Sequence, residues 1–391
     1  MNIVLFSDTY PPDINGVATS LYNLHLTLVN HGHKCMVVTV NPWNNDVMID
    51  DDIIRIPGLE LKKLYGYHIA GFFNQKAFEA VKKFHPDVIH VNHDAGLGQF
   101  GFICASRLNV PTAYTYHTMY EDYTYYVTKG HFDLIAKSIV RSYIRLKAEQ
   151  TAEFIAPSEK VKDYLRSIGV DTYINVVPTG VDFSRFREQI GTKEEALALR
   201  KKFGIDEKDF VILSLGRVAK EKSIDVCLRG YADYLKSGED KPTKFLIVGG
   251  GPALDDLKAL TKELGIEKKV IFVGPVKPDE TQYYYQISDC FVSASITETQ
   301  GLTFMEAMAS SLVVLARYDD NLAGTIVDGK TGYFFYDLGD FKDRLRAIVN
   351  LSPSARKNII SQANKALEPY SLDAFHDNVM EVYRRAIRKR W

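Results

Sequence analysis

The chain reads as an α/β protein built from two doubly wound parallel-sheet domains in series. Three observations predict this: short continuous apolar runs rich in β-branched residues, amphipathic stretches of helical period between them, and a restart of the series after a proline and glycine break near residue 180. Continuous apolar runs mark strands covered on both faces, the condition of parallel strands with helices on either side.

In chain order, the first series of runs covers 3–6, 35–40, 88–91, 112–115, 154–156 and 174–177, and the second covers 210–213, 245–248, 270–273, 290–293, 313–316 and 333–335. Helical patterns such as 253–264 separate them, the alternation that winds helices onto both faces of a sheet. Pro178-Thr179-Gly180-Val181-Asp182 ends the sixth run before a charged stretch from 185 to 208, which sets the boundary at about residue 185. The first domain is therefore expected at 1–185 and the second at 186–370, with a C-terminal helix at about 371–391 that can pack back on the first. Open parallel sheets bind ligands beyond the carboxyl ends of their strands. Two such domains facing each other are expected to line a cleft with strand-end loops from both.

With 391 residues, 46% of them hydrophobic and 25% charged, the chain is long enough for two cores and too apolar for disorder. Its 48 basic and 49 acidic residues leave a formal charge of -1, which gives no overall field for nucleic acid. The dispersed Cys35, Cys104, Cys227 and Cys290 read as buried thiols of a reducing compartment, hence a cytosolic protein. The first residues lack the basic start and long apolar centre of a secretion signal. No window approaches the roughly 18 apolar residues that a bilayer span needs, which leaves attachment to a bilayer surface open.

The strongest local signal is Glu298-Thr299-Gln300-Gly301-Leu302-Thr303-Phe304-Met305-Glu306, between the 290–293 run and a stretch of helix formers. A helix starting near Gly301 aims the amides of Gly301, Leu302 and Thr303 at an anion and adds its dipole, which suits a phosphate. Glu306, about one turn into that helix, can accept two hydrogen bonds from a vicinal diol such as ribose, and Glu298 can take hydroxyls of a second sugar. The bland alternative is a solvated helix start with Glu306 as a routine surface charge. A second signal supports the first. In Ser214-Leu215-Gly216-Arg217-Val218-Ala219-Lys220-Glu221-Lys222-Ser223, Arg217 and Lys222 sit on a strand-end loop where they can neutralise a diphosphate leaving group without a metal. A salt-bridged surface loop is the alternative there. Val248-Gly249-Gly250-Gly251-Pro252 fails the G-x-G-x-x-G spacing, which removes the main support for a dehydrogenase. Its glycines are read as letting backbone pass close to a ligand or a neighbouring helix.

The paired glutamates, preceded by G-R-x-x-x-x-K and V-G-x-G-P, resemble the retaining glycosyltransferases of family 4 with the GT-B fold. The likeness extends to Ser7-Asp8-Thr9-Tyr10-Pro11-Pro12-Asp13-Ile14-Asn15-Gly16-Val17, Pro86-Asp87-Val88-Ile89-His90 and the 178–182 hinge, so it covers essentially the whole chain. It implies two Rossmann-like domains facing across a cleft, with a UDP-sugar as co-substrate. It further implies that Glu306 binds the nucleotide ribose, Arg217 and Lys222 the diphosphate, and Glu298 with the following amides the donor hexose. Gly16 would give the first loop its close approach to phosphate. Many members carry Phe where this chain has Gln300, whereas the Glu-Thr-Gln-Gly-Leu-Thr form resembles bacterial enzymes that glycosylate diacylglycerol.

On the other side of the expected cleft, Tyr114-Thr115-Tyr116-His117-Thr118-Met119-Tyr120-Glu121-Asp122-Tyr123 places a histidine at a strand end among tyrosines, among them Tyr120 and Tyr123. Hydroxyl donors, flat apolar faces and one titratable ring suit a polar head on a greasy body, although a histidine satisfied within a tyrosine-rich core is the alternative. By the resemblance, His117 lies by the donor sugar and phosphate, and the H-T-x-Y-x-D-Y run looks like that of diacylglycerol glucosyltransferases. His93, after a central strand, is a further candidate for the acceptor cleft. With His90 and Asp94 it does not make a metal site, because their side chains diverge and no further cluster accompanies them.

Lys137, Arg141 and Arg145 recur every four residues and would form one basic stripe on a helix flanked by apolar positions, able to lie on anionic lipid, the bland alternative being that the apolar half packs on the first sheet and the basic groups merely face water. The 61–67 segment, Phe72-Phe73 and the tail Arg384-Arg385-Ala386-Ile387-Arg388-Lys389-Arg390-Trp391 add basic and aromatic material. The expected protein is thus a hexosyltransferase, peripheral on the inner face of the cell membrane. It would move a hexose, glucose first, from a UDP-sugar to diacylglycerol or a glycosylated diacylglycerol, with His117 and Glu298 acting in turnover and no metal required. Two rivals stay open: a soluble family 4 enzyme acting on a polysaccharide, protein or small sugar, and a non-catalytic sugar-nucleotide or lipid-binding module.

Overall fold

The computed structural model describes residues 1–13, 15–61, 67–93, 96–117, 133–188, 192–238, 241–295 and 300–389. Contacts divide the chain into two compact units, Met1–Gly180 with Tyr370–Trp391, and Val181–Pro369.

The first unit is a single twisted sheet with helices on both faces. Its strands are β1 (Asn2–Phe6), β2 (Lys34–Asn41), β3 (Met48–Asp50), β4 (Ile53–Leu61), β5 (Tyr67–Ala70), β6 (Val88–Val91), β7 (Thr112–Thr115), β8 (Glu153–Ala156) and β9 (Ile174–Val176). They lie in the order β3-β4-β2-β1-β6-β7-β8-β9, with β5 on β4. From β4 to β9 every pairing is parallel, while β3 and β5 run antiparallel to β4. The six apolar runs of the first series are the six strands β1, β2, β6, β7, β8 and β9. The strands β3 to β5 escape the same reading because Pro57 and Gly58 interrupt β4, and β3 is exposed along its whole length. Along β1, Val4 and Phe6 enter the core with Phe100 and Tyr114, while Ile3 and Leu5 face Leu24, Phe375 and Tyr383.

That second face is covered by the helix Leu372–Arg388, so the last helix of the chain belongs to the first unit. Ser371 caps it by accepting from the Ala374 amide at 3.2 Å. Burying Phe375, Val379, Met380 and Tyr383 stabilises the unit by about 2 kcal/mol per side chain. The basic tail has a structural task that periodicity does not reveal. Glu153 is buried, and Lys389 reaches its Oε1 at 2.9 Å while Arg385 lies 3.6 Å away and also holds Asn175.

In the second unit β10 (Phe210–Leu215), β11 (Thr243–Val248), β12 (Val270–Gly274), β13 (Cys290–Ser293), β14 (Val313–Arg317) and β15 (Tyr333–Phe335) are all parallel, in the order β12-β11-β10-β13-β14-β15. Each corresponds to a run of the second series. Helices including Ile224–Lys236, Leu254–Glu263 and Leu338–Val349 close over Ile212, Phe245, Val292 and Leu315. Among the described residues no helix is long and apolar enough to cross a membrane.

Arg385→Ala is expected to destabilise the chain by about 2 kcal/mol. This lies below the usual cost of breaking a buried pair, because Lys389 and Asn175 still hold Glu153. Urea unfolding of the full chain measures it, and adding Glu153→Gln, which removes the buried charge, should recover most of the loss.

Candidate active site

In each unit the candidate residues gather at the carboxyl ends of parallel strands. In the second unit the loop after β10 carries Gly216 and Arg217, then turns through a short helix, Lys220–Lys222. Arg217 is exposed and lies 3.9 Å from Glu221, and Lys222 closes the turn. The glycines after β11 serve this loop. Gly249 has φ +137°, and a Cβ there would stand 1.8 Å from the Gly216 carbonyl oxygen. Val218 N donates to Gly250 O at 3.0 Å, and Ala253 N to Val218 O at 3.1 Å. The close neighbour expected for this stretch is therefore backbone of the loop that bears Arg217, which its glycines let settle against the sheet end.

After β13, Gly301 adopts φ +74° and the helix Leu302–Ala309 begins with no side-chain cap. A Cβ at Gly301 would meet the Leu322 side chain at 2.5 Å, which would have to shift, while the positive φ itself favours glycine. Amides at an uncapped helix start are hydrogen-bond donors suited to an anion, and Leu302 and Thr303 occupy that first turn. The preceding Gln300 is buried, its amide 3.9 Å from the Met305 sulfur. Glu298 lies outside the described residues.

Glu306 sits half-buried in that helix and accepts a 2.8 Å hydrogen bond from the Tyr285 hydroxyl. Burial raises its carboxyl pKa to about 7, against the opposing pull of the Tyr285 hydrogen bond and the Arg185 charge. Tyr285 is itself pushed well above the ordinary phenol range by burial and by this carboxylate. A carboxyl group poised near neutrality, one oxygen held by a buried phenol, is chemically distinct from the routine surface glutamate.

In the first unit the loops after β1, β6 and β7 meet. Asp8 is buried and its Oδ1 accepts from the Leu97 amide at 3.0 Å, capping the helix Leu97–Leu108. The Ser7 hydroxyl donates to Thr9 O at 2.9 Å and lies 3.0 Å from Nδ1 of His93. His90 bridges Tyr383 and Thr115, each at 2.7 Å. His117, just past β7, has Nε2 3.1 Å from Oδ1 of Asn92. Burial holds all three imidazoles neutral, lowering His90 and His117 to about 3 and His93 to about 4. Gly16 opens the helix Gly16–Asn30, which Asn15 caps at 2.9 Å from the Ala18 amide. Apart from its chain neighbours and its own helix backbone, no atom of the described residues lies within 4 Å of a Cβ built on Gly16, so packing does not require glycine there. Tyr120 and Tyr123 lie outside the described residues. Among the described residues no group of three or more His, Cys, Asp or Glu side chains is arranged to hold a metal.

The family profile described as Glycosyltransferase Family 4 matches residues 14–185, and that described as Glycosyl transferases group 1 matches 196–366. An α-monoglucosyldiacylglycerol synthase of Streptococcus pneumoniae is 36% identical over 99% of this chain and 86% of its own length. The chain belongs to the family 4 glycosyltransferases. The enzyme of the same name from Acholeplasma laidlawii is 32% identical over 100% of this glycosyltransferase and 98% of its own length. Solved structures share the GT-B fold: sucrose-phosphate synthase of Thermosynechococcus elongatus, with a TM-score of 0.76, 19% identity and 99% of both chains covered, is one. Anabaena HepE, solved with UDP and glucose, has a TM-score of 0.73 at 14% identity over 98% of this chain and 99% of its own.

Of the residues singled out in this glycosyltransferase, Gly301, Leu302, Thr303 and Glu306 share one helix start, while Arg217 and Lys222 share one strand-end loop. His93 and His117 share the strand ends of the first unit's own sheet, each held by a different partner. Tyr285 and Asn92 went unread. Tyr285 is one of three consecutive tyrosines and Asn92 one residue of a histidine-rich strand end, so neither carries a local signal of its own.

Because the folded pKa of Glu306 is raised, its contribution to stability is fully present below about pH 4.5 and is lost as pH rises through about 7. Glu306→Gln should therefore flatten this part of the stability profile and raise the urea midpoint at pH 8 relative to the parent. Tyr285→Phe removes the hydrogen bond that favours the carboxylate and should move the Glu306 titration upward, as read by carboxyl carbon NMR.

Proposed function

We propose that this glycosyltransferase moves glucose from UDP-glucose to the free hydroxyl of diacylglycerol, with retention at the anomeric carbon. The observation that carries this reading is the end-to-end likeness to two α-monoglucosyldiacylglycerol synthases. The second unit takes the donor: the Leu302 and Thr303 amides with Arg217 and Lys222 receive the diphosphate, and ionised Glu306 accepts the two ribose hydroxyls. Glu298 and the following amides hold the hexose. The bond from the anomeric carbon to the UDP oxygen breaks, and cations and helix amides stabilise the charge that gathers on the leaving diphosphate. The acceptor oxygen bonds to the anomeric carbon from the same side and gives its proton to the donor phosphate. His117 positions substrate from the first unit, Gly16 leaves room for phosphate at the first loop, and His93, Tyr120 and Tyr123 contact the acceptor. No metal is assigned a role, since the cations and amides suffice for the diphosphate.

The acceptor is a lipid, and we place the enzyme on the inner face of the cell membrane through its first unit. On the helix Asp133–Glu149, Arg141 and Arg145 are exposed beside exposed Ile139 and Leu146, while Ile144 and Ala148 enter the core. Lys137 is partly buried on the same helix. A groove of about 380 Å³ alongside is lined by Phe102, Arg107 and Lys147, with Lys147 4.5 Å from the Phe102 ring centre. Arg107 stacks over Phe73 at 4.5 Å, and Phe72 is exposed next to it. Cations interleaved with exposed apolar side chains suit an anionic bilayer surface, each basic group adding about 1 kcal/mol. From the tail, Arg385 and Lys389 are committed to Glu153 and contribute less to such a surface.

Glu306→Ala should raise the KM for UDP-glucose by on the order of 10- to 100-fold, the loss of hydrogen bonds to a charged group. The double variant with Lys222→Ala should lose turnover, assayed as UDP release in mixed micelles with diacylglycerol; parental activity in it would remove the donor site. Neutralising Lys137, Arg141 and Arg145 to Gln should weaken flotation with anionic vesicles by about a hundredfold, and unchanged flotation would remove this helix from the membrane face.

A further inference from the structure

We propose that Asn92 is a positioning residue that locks His117 as its Nε2–H tautomer and so presents Nδ1 as a hydrogen-bond acceptor to a substrate hydroxyl. The orientation of the Asn92 amide follows from its two contacts. Its Nδ2 donates to the His90 carbonyl at 3.3 Å, and the opposite atom, Oδ1, faces Nε2 of His117 at 3.1 Å. The reverse orientation would set two acceptors against each other at His90. An amide oxygen only accepts, so Nε2 must carry the hydrogen. A neutral imidazole has a single N–H, which leaves Nδ1 as a bare lone pair.

The surroundings keep the ring neutral. Burial penalises a charged ring first, and its facing titratable groups, His90, anchored by Tyr383 and Thr115, and His93 next to Ser7, are themselves neutral and supply no negative charge to stabilise an imidazolium. The small cavity that His117 shares with His90 and Asn92 is otherwise walled by hydroxyl and apolar side chains, among them Ser20, Thr179 and Ile155, and by no carboxylate among the described residues. Ser20 and Thr179 are engaged with each other at 2.9 Å. A bare ring nitrogen cannot hold a phosphate oxygen, which is itself an acceptor, and it matches an O–H donor. The ligand chemistry is therefore an alcohol, whether a hydroxyl of the donor hexose or the hydroxyl of the acceptor lipid. Asparagine is specifically suited to the post: aspartate would place a negative charge on the N–H and draw a second proton onto the ring.

The inference rests on the reading of His117 as a substrate-contacting residue, and two arms separate them. In the first arm, the full chain is labelled with ¹⁵N-histidine, His117 is assigned through His117→Gln, and ring nitrogen shifts are followed from about pH 5.5 to 8, the range in which an ordinary histidine titrates. The expected result is a neutral Nε2–H tautomer throughout. An Nδ1–H tautomer or an imidazolium in that range would overturn the lock without reference to activity. Asn92→Asp should turn the same ring into an imidazolium at the acid end, and Asn92→Leu should leave it neutral but as a mixture of tautomers.

The second arm reads kcat against pH. Asn92→Asp should gain an acid limb that lowers kcat about tenfold per pH unit below the new His117 pKa, with the KM for UDP-glucose little changed. Asn92→Leu should lower kcat at all pH values without such a limb. If the limb also appears in acceptor-free hydrolysis of UDP-glucose, the hydroxyl belongs to the donor; if only in transfer to diacylglycerol, it belongs to the acceptor. An Asn92→Asp protein whose ring is charged by NMR yet whose profile is unchanged would refute the hydroxyl contact. Parental activity in His117→Gln would instead refute the role of His117 itself.

Discussion

Parallel strands covered on both faces leave polar chemistry one place to go. In both units the strand interiors are apolar and sealed by helices, so side chains and amides that must meet a ligand are confined to the loops at the carboxyl ends. The substrate-site candidates obey this restriction. Ser7, His93 and His117 follow β1, β6 and β7, and Arg217 and the helix start at Gly301 follow β10 and β13. The close approach of Gly249 to Gly216 is the same constraint at the level of backbone, where adjacent loops nest at the sheet end.

The two units use opposite electrostatics. The second unit offers cations, uncapped amides and one carboxyl group near neutrality, a combination that attracts a diphosphate and a diol. The first offers three imidazoles that burial holds neutral, so its strand ends act through hydrogen-bond direction and not through charge. For glycosyl transfer this division is economical in mechanism. In the proposed mechanism, charge is concentrated where the leaving group develops it, while hydroxyl groups are oriented by uncharged partners that neither compete for the diphosphate nor titrate in the working range. The C-terminal helix takes part indirectly, because Tyr383 anchors His90 while Arg385 and Lys389 neutralise Glu153.

Much of this was legible in the residues alone. All six strands of the second unit and the six central strands of the first announce themselves as apolar runs, since burial on both faces is written as local composition. The hairpin strands β3 to β5 are not, because the exposed edge strand β3 has no such requirement and Arg55, Pro57 and Gly58 interrupt the apolar pattern of β4. Gly301, Glu306, Arg217 and Lys222 were visible as candidates because glycine, carboxylate and cations at short spacing after a strand stand out locally, and the structure places them on one helix start and one strand-end loop.

What folding alone decided is which distant groups meet. Tyr285 and Glu306, 21 positions apart, and Asn92 and His117, 25 apart, become partners only when separate strand ends are brought together. Lys389 and Glu153, 236 positions apart, show the same at longer range. Local periodicity encodes how a segment shields itself from water. It holds no record of the neighbour whose proton, lone pair or charge a buried polar group will find, and that neighbour sets whether the group is neutral, ionised or aimed at a substrate.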